Sequence, residues 1–553
     1  MKKYLFTFFS LLIFYSCCAQ PGFVMADSVS TSVTVGNSAP SFDTGPAEST
    51  ASTSSDPTNQ GSDVTFTATG SDDNAEDYYL IVCTTDAVTA TNGDAPTCDV
   101  GTWCTSTATT TDTQASCSHT TTSDDGGADK TEAWYAFVCD GNSSAASCSS
   151  SSQGTGDTGS PFYVNHPPTF DTISNDGPQD PGSDVTWSTN VSTTDSDTSD
   201  QVKLVVCSSS GITAGACDSG ALCSSSLVDN DPDCSYTVPN GTDDDSSPFT
   251  AYAYLVDTYD MPATGANQGQ ESSNYSVNNV APVVSAVTVN SGSDMTLTNE
   301  ESTTDFVLSG TVTDNNGCSD ISTVKGYLYE YQNSVLEYAD CDSAGEADGD
   351  DCYPELTCSV GGGNSCDGGT DTSASYTCTA SVQYYANPTT AGTDHADYTW
   401  RDTLKATDDD AANHNYETSA TIEMETFLGL KITGSIDYGN ISAGNNSGTL
   451  DQTTTTTATG NLSIDQEVSG TDMTDGGEGT IEVENQEYDL SVDTSYGSGT
   501  DLTDSAVTIT DFNCAKTTSS GQGTKTTYWG IAIPEGIPAG EYSGTNTVSA
   551  VAN

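Results

Sequence analysis

The sequence predicts an all-β protein: a tandem array of four antiparallel β-sandwich domains, stapled by disulfides and preceded by an N-terminal signal peptide. Three observations predict it. The chain repeats itself at domain-sized intervals: Gly61-Ser62-Asp63-Val64-Thr65-Phe66 returns as Gly182-Ser183-Asp184-Val185-Thr186-Trp187, and Leu80-Ile81-Val82-Cys83 as Leu204-Val205-Val206-Cys207. Such self-similarity marks an array of related modules. Apolar and polar residues alternate in short runs between Asp, Asn, Gly and Ser turns, with no sustained 3.6-residue period after the first segment. The repeats also gain and lose cysteines in pairs.

Composition narrows the class. The 553 residues leave room for about three to five domains. A hydrophobic share of 34% suits small sandwiches with thin cores, and argues against both one large enzyme core and full disorder. Lys+Arg number 10 against 79 Asp+Glu, a formal net charge of -69. That surface repels phosphate backbones and anionic bilayers, so nucleic acid and lipid headgroups are poor partner candidates. Divalent cations, neutral or cationic polymers and other proteins are favoured.

Residues 1–26 read as the signal peptide. Lys2-Lys3 supply the positive start, 4–15 a short apolar run, and Val24-Met25-Ala26 a small-residue cleavage site before Asp27. The run is too short to span a bilayer comfortably, and no second one follows, so the mature chain is expected to lack a transmembrane helix. A competing reading takes Phe14-Tyr15-Ser16-Cys17 as a lipoprotein box with Cys17 lipidated. Either way the expected location is secreted or on the cell surface.

After an N-terminal segment at 27–37, proline-bearing joints divide the rest. Val35-Gly36-Asn37-Ser38-Ala39-Pro40, Val164-Asn165-His166-Pro167-Pro168 and Val277-Asn278-Asn279-Val280-Ala281-Pro282 each end one strand and restart another. The expected domains are repeat one at 38–165, repeat two at 166–279, a divergent third at 280–426 and a C-terminal sandwich at 427–553. In the third, 306–314, 324–329 and 401–408 read as strands. In the fourth, the threonine run 453–457 reads as a strand with a hydroxyl face, and the last strand lies near 546–551.

Even cysteine groups in an exported, thin-cored chain imply disulfides. Cys83, Cys98, Cys104 and Cys117 of repeat one match Cys207, Cys217, Cys223 and Cys234 of repeat two. Val256 stands where repeat one has Cys139, and Cys148 has no counterpart either; two cysteines absent together are most simply a bonded pair, Cys139–Cys148. For the shared four, three connectivities exist, and sequential neighbours are preferred: 83–98 and 104–117, 207–217 and 223–234. The third domain carries Cys318, Cys341, Cys352, Cys358, Cys366 and Cys378; of fifteen connectivities only Cys341–Cys352 is singled out. Cys514 is left over, a buried thiol or an intermolecular bridge. Zinc is not expected, because His119, His166, His395 and His414 form no cluster with close thiolate pairs.

The V-x-N-x-A-P joints, together with the ending Tyr528-Trp529-Gly530, Ile533-Pro534 and Gly540-Glu541-Tyr542-Ser543-Gly544, resemble modules of large bacterial surface proteins. Those modules are immunoglobulin-like, fibronectin type III-like and cadherin- or PKD-like, and the ending is similar to predicted surface proteins of small uncultured bacteria. The resemblance covers essentially the whole mature chain. It implies immunoglobulin-like sandwiches exposed at the cell envelope, with roles in adhesion or surface layers; the high cysteine count departs from the surface-layer pattern.

Acidic loops form the candidate ligand site. Repeat one has Asp72-Asp73-Asn74-Ala75-Glu76-Asp77, repeat two Asp195-Ser196-Asp197-Thr198-Ser199-Asp200, and the third domain Asp314-Asn315-Asn316-Gly317 with Asp320. After the penultimate strand come Asp140, Asp257 with Asp260, and Asp408-Asp409-Asp410. In an immunoglobulin-like sandwich these two loops emerge where the preceding domain enters, so hard oxygen ligands there could hold Ca²⁺ and stiffen the joint. The candidate calcium ligands are Asp195, Asp197, Asp200, Asp257, Asp314, Asp320, Asp408 and Asp410. The plainer alternative is solvated turn acid in an Asp-rich chain.

No G-x-S-x-G elbow, H-E-x-x-H pair or phosphate-cradling glycine loop is present, so no enzyme activity is expected. Two functions remain. One is a structural envelope component, a stalk or surface-layer-like element that self-associates. The other is an adhesin recognising an extracellular protein or glycan.

Overall fold

The computed structural model describes residues 29–150, 159–190, 194–270, 273–332, 337–361, 365–418, 420 and 422–553. The expected signal peptide and the lipoprotein box ending at Cys17 lie outside the described residues. The chain divides into two compact units, one ending at His166 and the other beginning at Pro167.

The first unit holds one sandwich. Its strands are β1 (Ser41–Glu48), β2 (Asp63–Ser71), β3 (Tyr78–Cys83), β4 (Thr102–Thr105), β5 (Gln114–Thr120), β6 (Tyr135–Asp140) and β7 (Phe162–Asn165). One sheet runs β1-β2-β5 and the facing one β6-β3-β4, all antiparallel. Period-two alternation drives this: Val64, Phe66 and Ala68 of β2 are buried while Thr65 and Thr67 between them are not. Phe66 packs against Trp134 at 5.0 Å between ring centroids and against Phe162 at 6.2 Å, which closes the core.

The second unit opens with the same plan. Its strands are β8 (Ile173–Asn175), β9 (Asp184–Thr189), β10 (Val202–Cys207), β11 (Ala221–Ser224), β12 (Asp233–Thr237) and β13 (Tyr252–Asp257). They form sheets β8-β9-β12 and β11-β10-β13. Register follows the repeat: Trp187 lies opposite Cys234 as Phe66 lies opposite Cys117. Val256 lies opposite Lys203 as Cys139 lies opposite Tyr79.

The third sandwich keeps this core and adds an edge strand to each sheet. Its strands are β14 (Val283–Val289), β15 (Thr303–Thr313), β16 (Ile321–Tyr331), β17 (Cys352–Thr357), β18 (Ser359–Val360), β19 (Ser373–Gln383), β20 (Thr399–Asp408) and β21 (Asn413–Glu417). The sheets run β14-β15-β19-β18 and β17-β16-β20-β21. That order, first, second, sixth and fifth against fourth, third, seventh and eighth, is the Greek key of an immunoglobulin-like sandwich.

The fourth sandwich is antiparallel but wound differently. It comprises β22 (Leu430–Thr433), β23 (Gln452–Ala458), β24 (Ile464–Gly470), β25 (Gln486–Asp489), β26 (Thr500–Asp501), β27 (Val507–Cys514), β28 (Thr524–Ile531) and β29 (Asn546–Ala552). Its sheets run β22-β23-β28-β25-β26 and β27-β24-β29. The threonine run is β23, and part of its hydroxyl face points inward. Thr454 Oγ1 accepts from Trp529 Nε1 at 2.8 Å, Thr456 Oγ1 accepts from Gln466 Nε2 at 3.2 Å, and Thr527 Oγ1 donates to Gln466 Oε1 at 2.7 Å. These groups are buried, so each hydroxyl satisfies a polar partner that would otherwise be stranded.

Eight disulfides staple the first three sandwiches. They are Cys83–Cys98, Cys104–Cys117 and Cys139–Cys148; Cys207–Cys217 and Cys223–Cys234; and Cys318–Cys366, Cys341–Cys352 and Cys358–Cys378. Cys104–Cys117 and Cys223–Cys234 each join the facing sheets, β4 to β5 and β11 to β12. Cys514 is a free, buried thiol.

One core position in the third sandwich carries a charge-bearing group. Alternation along β20 buries Asp402 between Trp400 and Leu404, and neither of its carboxylate oxygens has a hydrogen-bond partner among the described residues. Burial pushes its pKa from 3.8 up to about 7. A raised acid binds its proton more tightly when folded, so stability falls as pH rises from the unfolded value toward the folded one. Asp402→Asn is therefore expected to stabilise the third sandwich above pH 7 by on the order of a few kcal/mol, with the gain shrinking toward pH 4. Denaturant unfolding at a series of pH values checks this; a gain that does not depend on pH contradicts it.

Candidate metal centre

Three acidic clusters occupy equivalent places in the first three sandwiches. In each, the strand that pairs with the third strand ends on an aspartate: β6 on Asp140, β13 on Asp257, β20 on Asp408. All three are buried. Beside them runs the loop from the second strand to the third, which carries another aspartate in a tight turn. Asp72 Oδ1 accepts from the backbone of Asn74 at 2.7 Å, Asp195 Oδ1 from Asp197 at 2.7 Å, and Asp314 Oδ1 from Asn316 at 2.9 Å. The turn consumes one oxygen and leaves the other. Oδ2 of Asp72, Asp195 and Asp314 is buried without a hydrogen-bond partner among the described residues.

The clusters are Asp72, Glu76 and Asp140; Asp195, Asp197 and Asp200; and Asp314, Asp320 and Asp408. In each, one oxygen per residue lies within 4.8 Å of the others. Two oxygens on opposite sides of a Ca²⁺ at about 2.4 Å are about 4.8 Å apart, so each set can share a single ion. An all-carboxylate donor set without Cys or His suits a hard cation.

The expected ligands divide accordingly. Asp195, Asp197 and Asp200 come together, and Asp314, Asp320 and Asp408 come together. Asp257 stands outside the second trio; its Oδ1 accepts from the backbone of Tyr259 and Met261, both at 2.8 Å, though its charge still reaches Asp195. Asp410 is not drawn into the third trio. It lies two residues past the end of β20, where the chain has turned outward, and it is exposed and faces Asp244. The first trio, Asp72, Glu76 and Asp140, was absent from the expected ligand set. Its signal was the alignment of Asp72 with Asp195 and of Asp140 with Asp257 across the repeats.

The third cluster is the most complete. Asp314 and Asp408 are each 1% exposed and Asp320 7%, and Oδ2 of all three lacks a partner among the described residues. Burial, then the charges of Asp408, Asp244 and Asp409, push Asp314 up to about 6 against the opposing Asn316 N–H. Burial, followed by Asp409 and Asp314, pushes Asp320 up to about 8. In the second cluster burial, together with Asp197, Asp257 and Asp200, pushes Asp195 up to about 7. Buried like charges without a cation resist ionisation.

This third cluster also lies at the junction with the second sandwich. Its loop holds the incoming chain: Asn316 Nδ2 donates to Thr242 O at 3.3 Å and Asn278 O at 2.9 Å, and Asn316 Oδ1 accepts from the Val280 backbone at 2.7 Å. Gly241 N donates to Asn315 O at 2.8 Å. The following turn of the second sandwich brings Asp244 and Asp245 against Asp409 and Asp410. In the first sandwich Asn37, in the segment that leads in, donates to Asp140 Oδ2 at 2.9 Å.

No protein-family model matches the chain, and no curated protein sequence matches it. Solved structures align at low similarity. The I67–I69 fragment of titin is 10% identical, with 70% of this chain and 99% of that chain covered and a TM-score of 0.29. The mouse nectin-like molecule 4 ectodomain, Ig1–Ig3, is 9% identical over 67% and 96%, with a TM-score of 0.26. The four N-terminal Ig domains of Dscam1 are 11% identical over 79% and 89%, with a TM-score of 0.17. The immunoglobulin-like assignment of the first three sandwiches rests on their own strand order.

Proposed function

We propose that the protein is an exported, non-enzymatic modular component of a cell envelope, a stalk or surface-layer-like element whose joints are stiffened by calcium. The eight disulfides support an oxidising, extracytoplasmic location. Among the described residues no helix is long and apolar enough to cross a membrane. The observation that carries the reading is the trio of buried Oδ2 atoms of Asp314, Asp320 and Asp408, without a hydrogen-bond partner among the described residues, beside the loop that grips the second sandwich. Calcium bound there supplies the positive charge that three converging carboxylates lack. The loop's own residues then do the mechanical part: Asn316 and Asn315 hold the linker against the cluster, so ordering the carboxylates orders the joint.

Small-angle scattering and calorimetric titration of the secreted chain test this. Calcium is expected to bind at more than one site and to narrow the distribution of inter-domain distances, and chelation to broaden it again. Binding of no calcium, or scattering curves that superimpose with calcium and with chelator, removes the joint-stiffening function.

A further inference from the structure

The third and fourth sandwiches meet at a side-chain constellation that none of the foregoing uses. Lys516 follows β27 and reaches into the third sandwich. Its Nζ donates to Asn387 Oδ1 at 2.7 Å, to Tyr385 O at 2.7 Å and to Asp350 Oδ1 at 3.2 Å. Asn387 Nδ2 in turn donates to Glu330 Oε2 at 2.8 Å, and His395 Nδ1 lies 2.7 Å from Glu330 Oε1. Glu330 is fully buried and Asn387 nearly so. Asn387 is held on its backbone side too: its N–H donates to Asp350 O at 2.8 Å, and its carbonyl accepts from Trp400 Nε1 at 3.0 Å.

We propose that Lys516 and Asn387 form an intramolecular isopeptide bond that joins the fourth sandwich covalently to the third, with Glu330 as the proton-transfer residue. A primary amine is held against the carboxamide it would attack, and a carboxylate touches the nitrogen that would leave. Lys516 Nζ attacks Asn387 Cγ, the new C–N bond forms, the Cγ–Nδ2 bond breaks, and Nδ2 departs. The lysine starts as an ammonium with three protons and ends as an amide with one. The two protons released pass through the neighbouring carboxylates to Nδ2, which leaves as ammonium. Atoms and charge balance, and no oxidant or cofactor is needed.

Three further features favour the reaction. Burial lowers the Lys516 pKa, which favours the free amine, although Asp350 opposes it. The hydrogen bond to Glu330 holds the His395 pKa high, which keeps a proton source behind the carboxylate. Pro388 follows Asn387 and has no backbone N–H, so the ordinary competing loss of ammonia, by attack of the next backbone nitrogen, is closed. Holding reactants in this arrangement is the condition under which an otherwise slow amide exchange becomes effectively unimolecular.

The test is intact mass and peptide mapping of the reduced, alkylated secreted chain. The expected result is a chain lighter by one ammonia and a branched peptide joining residues 387 and 516. Lys516→Arg, which keeps the cation, restores the full mass. Glu330→Gln, which cannot shuttle the proton, is expected to give a folded chain with only linear peptides. Stoichiometric recovery of linear peptides carrying unmodified Asn387 and Lys516 from folded wild-type chain overturns the proposal. A branched peptide at wild-type yield in Glu330→Gln overturns the role of Glu330.

Discussion

Replacing Asp314 and Asp408 together by Asn is expected to abolish the calcium response of the third sandwich and to stabilise it in chelator. In chelator the wild-type chain must bury three carboxylates whose Oδ2 atoms have no partner among the described residues, so the variant should unfold at the higher temperature. Asn keeps the acceptor that the turn needs, because Asp314 Oδ1 and Asp408 Oδ1 take backbone N–H groups from Asn316 and Ala412. In calcium the order inverts. A ligand that binds only the folded state adds about 2.7 kcal/mol at a concentration a hundredfold above its dissociation constant, and the variant gains none of it. Thermal unfolding with chelator and with calcium measures both halves. If the variant responds to calcium as the wild type does, the trio is not the site; if it is less stable in chelator, the carboxylates serve a structural role.

The second large effect concerns loop closure. Cys318–Cys366 spans 48 residues and Cys139–Cys148 spans 9. Constraining the unfolded chain scales with the logarithm of that span, so paired replacement by alanine should cost roughly 4 kcal/mol for the first bond and roughly 2.6 kcal/mol for the second. The repeat supports the direction, since the second sandwich keeps the same strands with Val256 where the first has Cys139. Denaturant unfolding of each paired variant gives the comparison. Equal losses would mean that native contacts around the bonds outweigh chain entropy.

Several features of this fold were legible from residue order. Alternation in Val64-Thr65-Phe66-Thr67-Ala68 specifies a half-buried strand because side chains two apart share a face, and that needs no knowledge of the rest of the chain. The comparison of repeats sets Val256 against Cys139 and leaves Cys148 unmatched; in the structure those two cysteines are bonded. The acidic turns were visible as well, because an aspartate that caps its own loop does so over two residues.

Other features needed the folded molecule. Asp410 and Asp408 are indistinguishable in Asp408-Asp409-Asp410, yet only the residue that ends β20 faces inward. The threonines of β23 predict a hydroxyl face, but the polar partners that draw Thr454 and Thr456 inward, Trp529 and Gln466, lie on other strands. Lys516 and Asn387 are 129 residues apart, and no local pattern marks either.

The sequence by itself determined the modular β construction and the acidic loops, because each follows from composition or from relations among near neighbours. Tertiary structure alone decided which carboxylates come together, how the fourth sandwich is wound and which lysine meets which asparagine. Those depend on where the chain returns after tens of residues, and that is set by packing between sheets rather than by any local run.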